Sequence, residues 1–414
     1  MRVEKVVILN DRSEALGGAT SLALLSARLL HAASLQVVYV TGDSGARHDL
    51  PEGIKVVSLG GRPLLEQPFP QRVRDGLDNA AAFRLVRDVI AGEDTPSTVY
   101  HLHGWAQTLS PAVFRALAPV ERRLVISAHD FSLVCPNGSY FNYQTEQVCA
   151  LTPLSPACLV THCDKRKRAE KAFRVLRILR RRQLISLSKT EALIAMIHPS
   201  MADWIVRAGA SRARLRVLRN PVTPFRRQRV AAEQNADLFY IGRLQPEKGA
   251  VLAADAARAV GRRLRVIGDG PERDLLARQY PNAVLEGWRS HSEIAELIVG
   301  ARALIMPSRL PEPFGLVALE ALQSGVPLVA FSDSFVAREA AGVGASFVAA
   351  ERTAASLEGA VRQLDSDPAV FQASHAAFDL CREFASTPES WRDSMIDLYE
   401  EQLSRVPGTV EASS

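Results

Sequence analysis

Short runs of consecutive apolar residues, each closed by polar or glycine-rich positions, recur along this 414-residue chain. KVVILN, QVVYVTG, STVYHLHG, RLVISAHD and LIAMIHPS form one series. DLFYIGRL, RLRVIGDG, AVLEGWRS, RALIMPSR and PLVAFSD form a second, starting at residue 237. Amphipathic stretches at helical spacing, such as SLALLSARLLHAA, lie between them. A strand that is apolar throughout, rather than alternating, is buried on both faces, as in a parallel sheet covered by helices on both sides. The pattern therefore predicts two α/β halves of Rossmann-like design, whose ligands sit beyond the carboxyl ends of the strands. RVLRNPVTPF, 216–225, has two prolines and Asn220 and predicts the connector. The expected domains are 1–219 and 220–386, with a capped amphipathic helix in 387–414 packing back on the first.

Composition narrows the class. Hydrophobic residues are 47% and charged residues 23% of the chain, the proportions of a soluble enzyme with a sizeable core. The N-terminal MRVEKVVILN puts charges through what would be a signal peptide's apolar stretch. No apolar run reaches the roughly 18 residues that span a bilayer, so a cytoplasmic protein is expected. Net charge is only +5, yet 165–182, KRKRAEKAFRVLRILRRR, carries ten basic residues and a single acid, Glu170. Such a local block points to contact with an anionic surface and not to nucleic-acid binding. Ala169, Phe173, Leu176 and Leu179 recur there at helical spacing. The helix either lies on the inner face of an anionic membrane or docks that stripe into its own domain.

Several motifs carry candidate chemistry. YIGRLQPEKG, 240–249, puts Arg243 and Lys248 between a buried strand and a helix, where backbone N–H groups already favour an anion. LGGATS, 16–21, sets Gly17 and Gly18 where backbone can approach a phosphate or sugar, with Thr20 or Ser21 as a helix cap; a plain tight turn would use the same residues. GDGPERDLL, 268–276, is a nucleotide-facing loop or a turn, and its glycine spacing is not the dinucleotide fingerprint. HLHGW and SAHDFSLVCPNG place His101, His103, His129 and Asp130 at strand ends, with His101 and His103 on one side by alternation. Such histidines bond a ligand or backbone more often than a metal. The gaps between Cys135, Cys149, Cys158 and Cys163 fit no standard zinc finger or ribbon. Separate thiols are expected there over a structural zinc, and no metal site is assigned.

SRLPEPFGLVALEALQSGVPLVA, 308–330, holds two acids, Glu312 and Glu320, around an apolar run. A glycoside-cleaving pair stands about 5 Å apart when retaining and roughly 6.5–9.5 Å apart when inverting. Eight helical residues would separate these two by about 12 Å, on different faces. A helix starting inside the motif shortens that span, but a hydrolytic dyad still fits poorly. Two ends of one extended ligand fit better.

GRLQPEKG, GDGPERDLL and EPFGLVALEALQSGVPLVA, in this combination and order, resemble the retaining glycosyltransferases of family 4. Those enzymes have the GT-B fold, two Rossmann-like domains with parallel sheets facing a central cleft. The likeness is strongest over the second half. The first half joins it through GGATS, the His129–Asp130 pair and the closing Trp–Tyr helix, which in the family crosses back to the first domain.

The resemblance implies transfer of a sugar from a UDP- or GDP-linked donor to a hydroxyl acceptor, without a divalent metal. The expected acceptor is a saccharide or lipid-linked saccharide in surface polysaccharide or glycoconjugate synthesis. By resemblance, Arg243 and Lys248 neutralise the donor diphosphate, and Glu320 holds the ribose hydroxyls. Glu312 stands near the transferred sugar, and Phe314, Gly315 and Leu316 offer backbone N–H groups. His129 lies beside the anomeric centre, Gly17 and Gly18 meet donor and acceptor, and His103 and Asp130 are placed on the acceptor side. Front-face attack is expected, with a covalent intermediate on Glu312 the lesser route, and closure of the domains excludes water. A nucleotide-sugar epimerase or hydrolase, or a non-catalytic sugar-nucleotide-binding partner, are rival readings on the same fold.

Overall fold

The computed structural model describes residues 2–15, 17–46 and 49–405, so Leu16 of the LGGATS stretch lies outside the described residues. The chain divides into two compact units. One holds the residues up to Ser139, then Ala150–Leu218 and the C-terminal segment from Pro388; the other holds Tyr140–Cys149 and Arg219–Thr387.

The first unit is built on β1 (Lys5–Asn10), β2 (Gln36–Thr41), β3 (Lys55–Ser58), β4 (Thr98–Leu102) and β5 (Leu124–Ala128). After the antiparallel hairpin β6 (Phe141–Asn142) and β7 (Gln147–Val148) come β8 (Leu193–Met196) and β9 (Leu215–Val217). The seven-stranded sheet is parallel, in the order β3-β2-β1-β4-β5-β8-β9. Its central strands are apolar on both faces because helices cover both. Leu22, Ala23, Ala27 and Leu30 of the Gly18–Ala32 helix pack into the same core as Val6, Ile8 and Tyr39. The C-terminal helix Pro388–Ser404 joins that core with Trp391, Met395, Leu398, Tyr399 and Leu403, one helical stripe.

The second unit carries β10 (Asp237–Ile241), β11 (Leu264–Ile267), β12 (Val284–Gly287), β13 (Ala301–Met306), β14 (Leu328–Phe331) and β15 (Ser346–Ala349). They form a parallel sheet in the order β12-β11-β10-β13-β14-β15. Arg302 interrupts the apolar run of β13 and is buried. Its guanidinium donates to the carbonyls of Leu364 (2.7 Å), Glu233 (3.1 Å) and Asn235 (3.0 Å), which offset the cost of taking the charge out of water. The hairpin β6–β7 comes from the first half of the sequence yet clusters with this unit, where Glu146 pairs with Arg309.

The basic block differs from its expected packing. It forms the helix Arg168–Leu184, but the buried positions are Lys171, Val175, Ile178 and Arg181. Of the expected stripe, Ala169 is exposed, as are Leu176 (51%) and Leu179 (38%), and only Phe173 is half-buried. Most of the arginines are already engaged: Arg174 pairs with Asp164 and Arg180 with Asp78, and Arg177 donates to the Gly76 and Ala106 carbonyls. The inward face thus uses lysine and arginine stems, leaving leucines outside.

Trp391 fills the first unit's core at 1% exposure. Trp391→Ala is expected to cost about 3–5 kcal/mol, read as a fall in the urea midpoint at unchanged slope.

Candidate functional site

Three loops of the second unit converge at the carboxyl ends of three adjacent strands, β11, β10 and β13. The first two lie back to back. Gly242 N–H donates to Ile267 O at 2.9 Å and Leu244 N–H to Asp269 O at 2.9 Å. Gly268, at φ 138°, has Gly242 O where a Cβ would stand, only 1.9 Å from that point. No side chain fits there, which is why GDG follows β11. The third loop joins through Arg309 N–H, which donates to Glu247 O at 2.9 Å.

This packing brings Lys248 Nζ to 2.8 Å from Glu312 Oε1. Lys248 closes a short 3₁₀ turn, Pro246–Lys248, and Gly249 at φ 77° starts the helix Ala250–Ala259. Burial acts to raise the Glu312 carboxyl, but the charge and hydrogen bond of Lys248, with the charge of Arg243, hold it below its ordinary value. Arg243 is exposed on the same loop, and no carboxylate pairs with it among the described residues. The helix Leu316–Leu322 begins after Gly315, which is left-handed at φ 73°. Among the described residues, nothing accepts from the N–H groups of Phe314, Gly315 and Leu316.

The eight-residue helical span between the two acids is therefore corrected. Glu312 lies in the loop, and only the residues from Leu316 onward are helical. Glu320 sits on that helix with His291 Nε2 3.8 Å away, and burial pushes its carboxyl up to about 7. The two glutamates are thus in opposite electrostatic states, one paired with a cation and one not.

In the first unit, Gly17 caps the Gly18–Ala32 helix with extended backbone, and among the described residues nothing beyond its chain neighbours lies within 4 Å of where its Cβ would be. Neither Thr20 nor Ser21 caps this helix; Thr20 instead accepts from Asn10 Nδ2 at 3.3 Å. Asp11, just past β1, accepts from the backbone N–H groups of Gln107 (2.9 Å), Thr108 (2.8 Å) and Leu109 (3.0 Å). That carboxylate fixes the loop after β4.

The strand-end histidines bond to one another. His101 Nδ1 lies 3.2 Å from His103 Nε2, and His103 Nδ1 lies 3.0 Å from His129 Nε2. Tyr399 Oη approaches His101 Nδ1 at 2.6 Å and Ser127 Oγ approaches His101 Nε2 at 2.8 Å. Asp130 turns outward, and its carboxylate accepts from Ser132 N–H at 2.7 Å. Sequence reasoning placed the histidines but missed Tyr399 and Ser127. The signal for Tyr399 was the run Trp391, Met395, Leu398 and Tyr399 at four-, three- and one-residue steps, which makes one buried helical stripe.

None of the five cysteines is in a disulfide. Cys135, Cys158 and Cys163 are buried, and Lys171 Nζ lies 3.1 Å from Cys163 Sγ and 3.7 Å from Cys158 Sγ. Among the described residues, no three or more His, Cys, Asp or Glu side chains are grouped to hold a metal ion.

Known proteins place this geometry. Residues 222–378 match the family model for "Glycosyl transferases group 1". A glycogen synthase of Mycobacterium tuberculosis is 35% identical over 199 residues, 45% of this chain and 46% of that protein. A GDP-mannose-dependent alpha-mannosyltransferase of the same organism is 33% identical over 163 residues, 38% of this chain and 41% of that protein. The matches thus span less than half the length of either relative. Among solved structures, sucrose-phosphate synthase from Thermosynechococcus elongatus superposes with a TM-score of 0.70 at 16% identity, covering 97% of this chain and 99% of that one. Anabaena HepE in complex with UDP and glucose gives 0.62 at 15% identity, over 96% and 99%. These likenesses show the fold. The chain has the two Rossmann-like halves of the GT-B fold, and its residues 222–378 are similar to the group 1 glycosyl transferases.

Proposed function

We propose that the chain is a retaining glycosyltransferase of family 4 that moves a sugar from a nucleotide-diphosphate donor to a hydroxyl of a saccharide or lipid-linked saccharide. One observation carries the reading. Lys248 is held 2.8 Å from Glu312, on the same loop as the exposed Arg243, inside the segment that matches the group 1 transferases. The donor nucleotide is UDP or GDP; Anabaena HepE holds UDP, and the mannosyltransferase is named for GDP-mannose.

As the bond from sugar to diphosphate lengthens, charge gathers on the leaving phosphate. Arg243, Lys248 and the N–H groups of Phe314, Gly315 and Leu316 stabilise it. One such donor aimed at developing charge is worth about 3–4 kcal/mol. Glu312 keeps Lys248 extended until the diphosphate competes for it, and its carboxylate then accepts a sugar hydroxyl. The acceptor hydroxyl attacks the face that the phosphate leaves, and the phosphate oxygen takes its proton, so configuration is retained. A covalent intermediate on Glu312 is the lesser route. Glu320 accepts the ribose hydroxyls, Gly17 and Gly18 let the substrate approach backbone, and His129 faces a substrate hydroxyl. His103 and Asp130 belong to the acceptor side. No divalent metal is required, since fixed cations neutralise the phosphates.

A peripheral association with the inner face of an anionic membrane is part of the same proposal. What supports it is the outer face of Arg168–Leu184, where exposed Leu176 and Leu179 run between Arg168 and Arg182. Among the described residues, no helix is long and apolar enough to cross a membrane.

Lys248→Ala is expected to lower kcat at least about 10²-fold while leaving the thermal midpoint within a few degrees. An active variant would refute the phosphate role. Product analysis of wild type with and without acceptor separates the rivals. Epimerised donor or free sugar without acceptor marks an epimerase or hydrolase, and nucleotide binding without turnover marks a non-catalytic partner.

Glu320 yields a pH prediction. Its folded pKa is raised from 4.5 to about 7, so folding favours its protonated form. That contribution is full below 4.5 and is lost as pH rises through about 7. Glu320→Gln should therefore match wild-type stability at about pH 4 and exceed it at about pH 8, by up to ~3 kcal/mol in urea unfolding. The same variant should weaken nucleotide-sugar binding, and unchanged affinity would end the ribose assignment. For the membrane, Leu176→Glu with Leu179→Glu should abolish co-sedimentation with phosphatidylglycerol vesicles; undiminished binding would retire the association.

A further inference from the structure

The first unit holds a second cluster of loops at the carboxyl edge of its sheet. The loop after β3 reaches across the end of β2, where Gly61 N–H donates to Gly42 O at 2.9 Å. The loop after β4 is tied to the helix Ala80–Glu93 by its cap Asn79, whose Nδ2 donates to Thr108 O at 3.0 Å. Between these loops lies an open pocket of about 670 Å³. Arg62, Arg74, Arg84, Asp75 and Asp78 are the charged groups of its lining among the described residues. Open parallel sheets hold their ligands at this edge, and the volume suits a small-molecule head group.

The charges of this pocket do not balance. Arg74 pairs with Asp75 at 2.8 Å. Asp78 is shared by Arg115 at 3.0 Å and Arg180 at 2.5 Å, which reach it from two other helices. Both acids are thereby used, and Arg62 and Arg84 have no carboxylate partner among the described residues. The N-terminus of the Ala80–Glu93 helix lines the same space with Ala80 and Ala81. Asn79 Oδ1 takes the N–H groups of Ala81 and Ala82, each at 3.1 Å, and adds no charge to offset the helix dipole. The surplus is positive, so the occupant is anionic. A guanidinium fork matches the oxygens of a phosphate two at a time.

The rim adds a second requirement. Leu65 is 59% exposed and Phe69 68%, and they flank Gln67 and Pro68, which line the pocket. One exposed leucine is ordinary, but two large apolar side chains at the mouth of a cationic pocket ask for an apolar partner. The helix that Phe69 begins, Phe69–Asp78, packs on the basic helix Arg168–Leu184. Gly76 allows the contact, since a Cβ there would stand 2.4 Å from the Phe173 ring, and Arg177 donates to Gly76 O at 2.9 Å. The apolar rim and the exposed Leu176 and Leu179 therefore belong to two elements packed together.

From the unbalanced charge and the apolar rim together, we propose that this pocket anchors the acceptor, and that the acceptor is a saccharide joined to a lipid chain through a phosphate or diphosphate. Arg62 and Arg84 grip the phosphate oxygens, and the chain leaves across Leu65 and Phe69. The pocket is too small for a long hydrocarbon chain, so the chain stays outside it, in the bilayer. A free neutral saccharide offers nothing to either the cations or the rim. The proposal names the acceptor class within the glycosyltransferase reading and rests on that reading, but its first test needs no transfer.

That test is calorimetric binding of farnesyl diphosphate, inorganic pyrophosphate and farnesol to the full chain. Farnesyl diphosphate is expected to bind at least about tenfold more tightly than either of the others, since it alone meets both the cations and the rim. Arg62→Gln with Arg84→Gln should weaken it about 10²-fold, one charged group each, at an unchanged thermal midpoint because both side chains are exposed. Leu65→Ser with Phe69→Ser should reduce it to the affinity of pyrophosphate, and Lys248→Ala should leave it unchanged. Pyrophosphate binding as tightly as farnesyl diphosphate overturns the lipid assignment, and farnesol binding as tightly overturns the phosphate. Loss in Lys248→Ala, with no effect of the arginine variants, puts the probe in the second unit and overturns the pocket. Transfer is read separately. A chain that binds the probe at Arg62 and Arg84 but moves no sugar to a farnesyl-diphosphate-linked saccharide sinks the transferase reading and keeps the site. A chain that glycosylates a free saccharide, with kcat/KM indifferent to the arginine variants, sinks the site and keeps the transferase.

Discussion

The second unit depends on a close approach of backbone to backbone. The loops after β10 and β11 touch where Gly268 has no side chain, with Gly242 O at 1.9 Å from the place a Cβ would take. That contact allows the hydrogen bonds that turn GRLQPEKG inward, and the turn delivers Lys248 to Glu312. A half-buried pair of this kind adds little net stability, because desolvation consumes most of the Coulomb gain. Its effect is positional. A lysine side chain has four rotatable bonds, and the carboxylate holds it in one direction at the carboxyl ends of the strands. Gly249 reinforces the arrangement: its φ of 77°, with Pro307 O 2.3 Å from its absent Cβ, sets where the following helix starts.

The first unit solves a different problem by similar means. Its strand-end histidines are buried, and buried imidazoles need partners. Asp11 supplies part of the frame by fixing the Gln107–Leu109 backbone, and the C-terminal helix supplies the rest by lodging Tyr399 against His101. The stripe that buries Trp391, Met395 and Leu398 also sets the register of Tyr399, so hydrophobic packing and polar alignment come from one helix.

Much of this was legible from sequence, for definable reasons. Ten strands read correctly: nine are interior parallel strands, apolar on both faces, and the tenth is the edge strand β12. β3, β9 and β15, all edge strands of the two large sheets, were not read, nor was the two-residue hairpin pair β6 and β7. Edge strands are paired on one side only; β3 is just half-buried and β9 is three residues long, sitting inside the stretch read as connector. The chemistry was legible as residue types at strand ends, since Arg243, Lys248, Glu312 and the histidines all follow apolar runs. Their pairings were not. Lys248 and Glu312 are 64 residues apart, and Tyr399 is 298 residues from His101. Only the strand order brings them together. The buried face of the basic helix was not legible, because apolar periodicity assumes that charges face water, whereas Lys171 and Arg181 are buried there.

Glu312 and Glu320 show how far environment outruns residue type. They are eight positions apart, carry the same carboxyl, and first suggest a matched pair. Lys248 and Arg243 hold Glu312 ionised against its burial, while Glu320, with only a distant His291, is pushed to about 7. An acid–base dyad also needs two unlike carboxyls, so the difference alone does not exclude one. What weighs against it is the cation: a glutamate committed to Lys248 is a poor general acid, because its proton is the one thing that pair excludes. A carboxylate that stays ionised can only accept. Near neutral pH, Glu320 sits close enough to its pKa for a hydroxyl donor to complete its ionisation. Both glutamates therefore suit binding hydroxyl groups better than cutting a glycosidic bond.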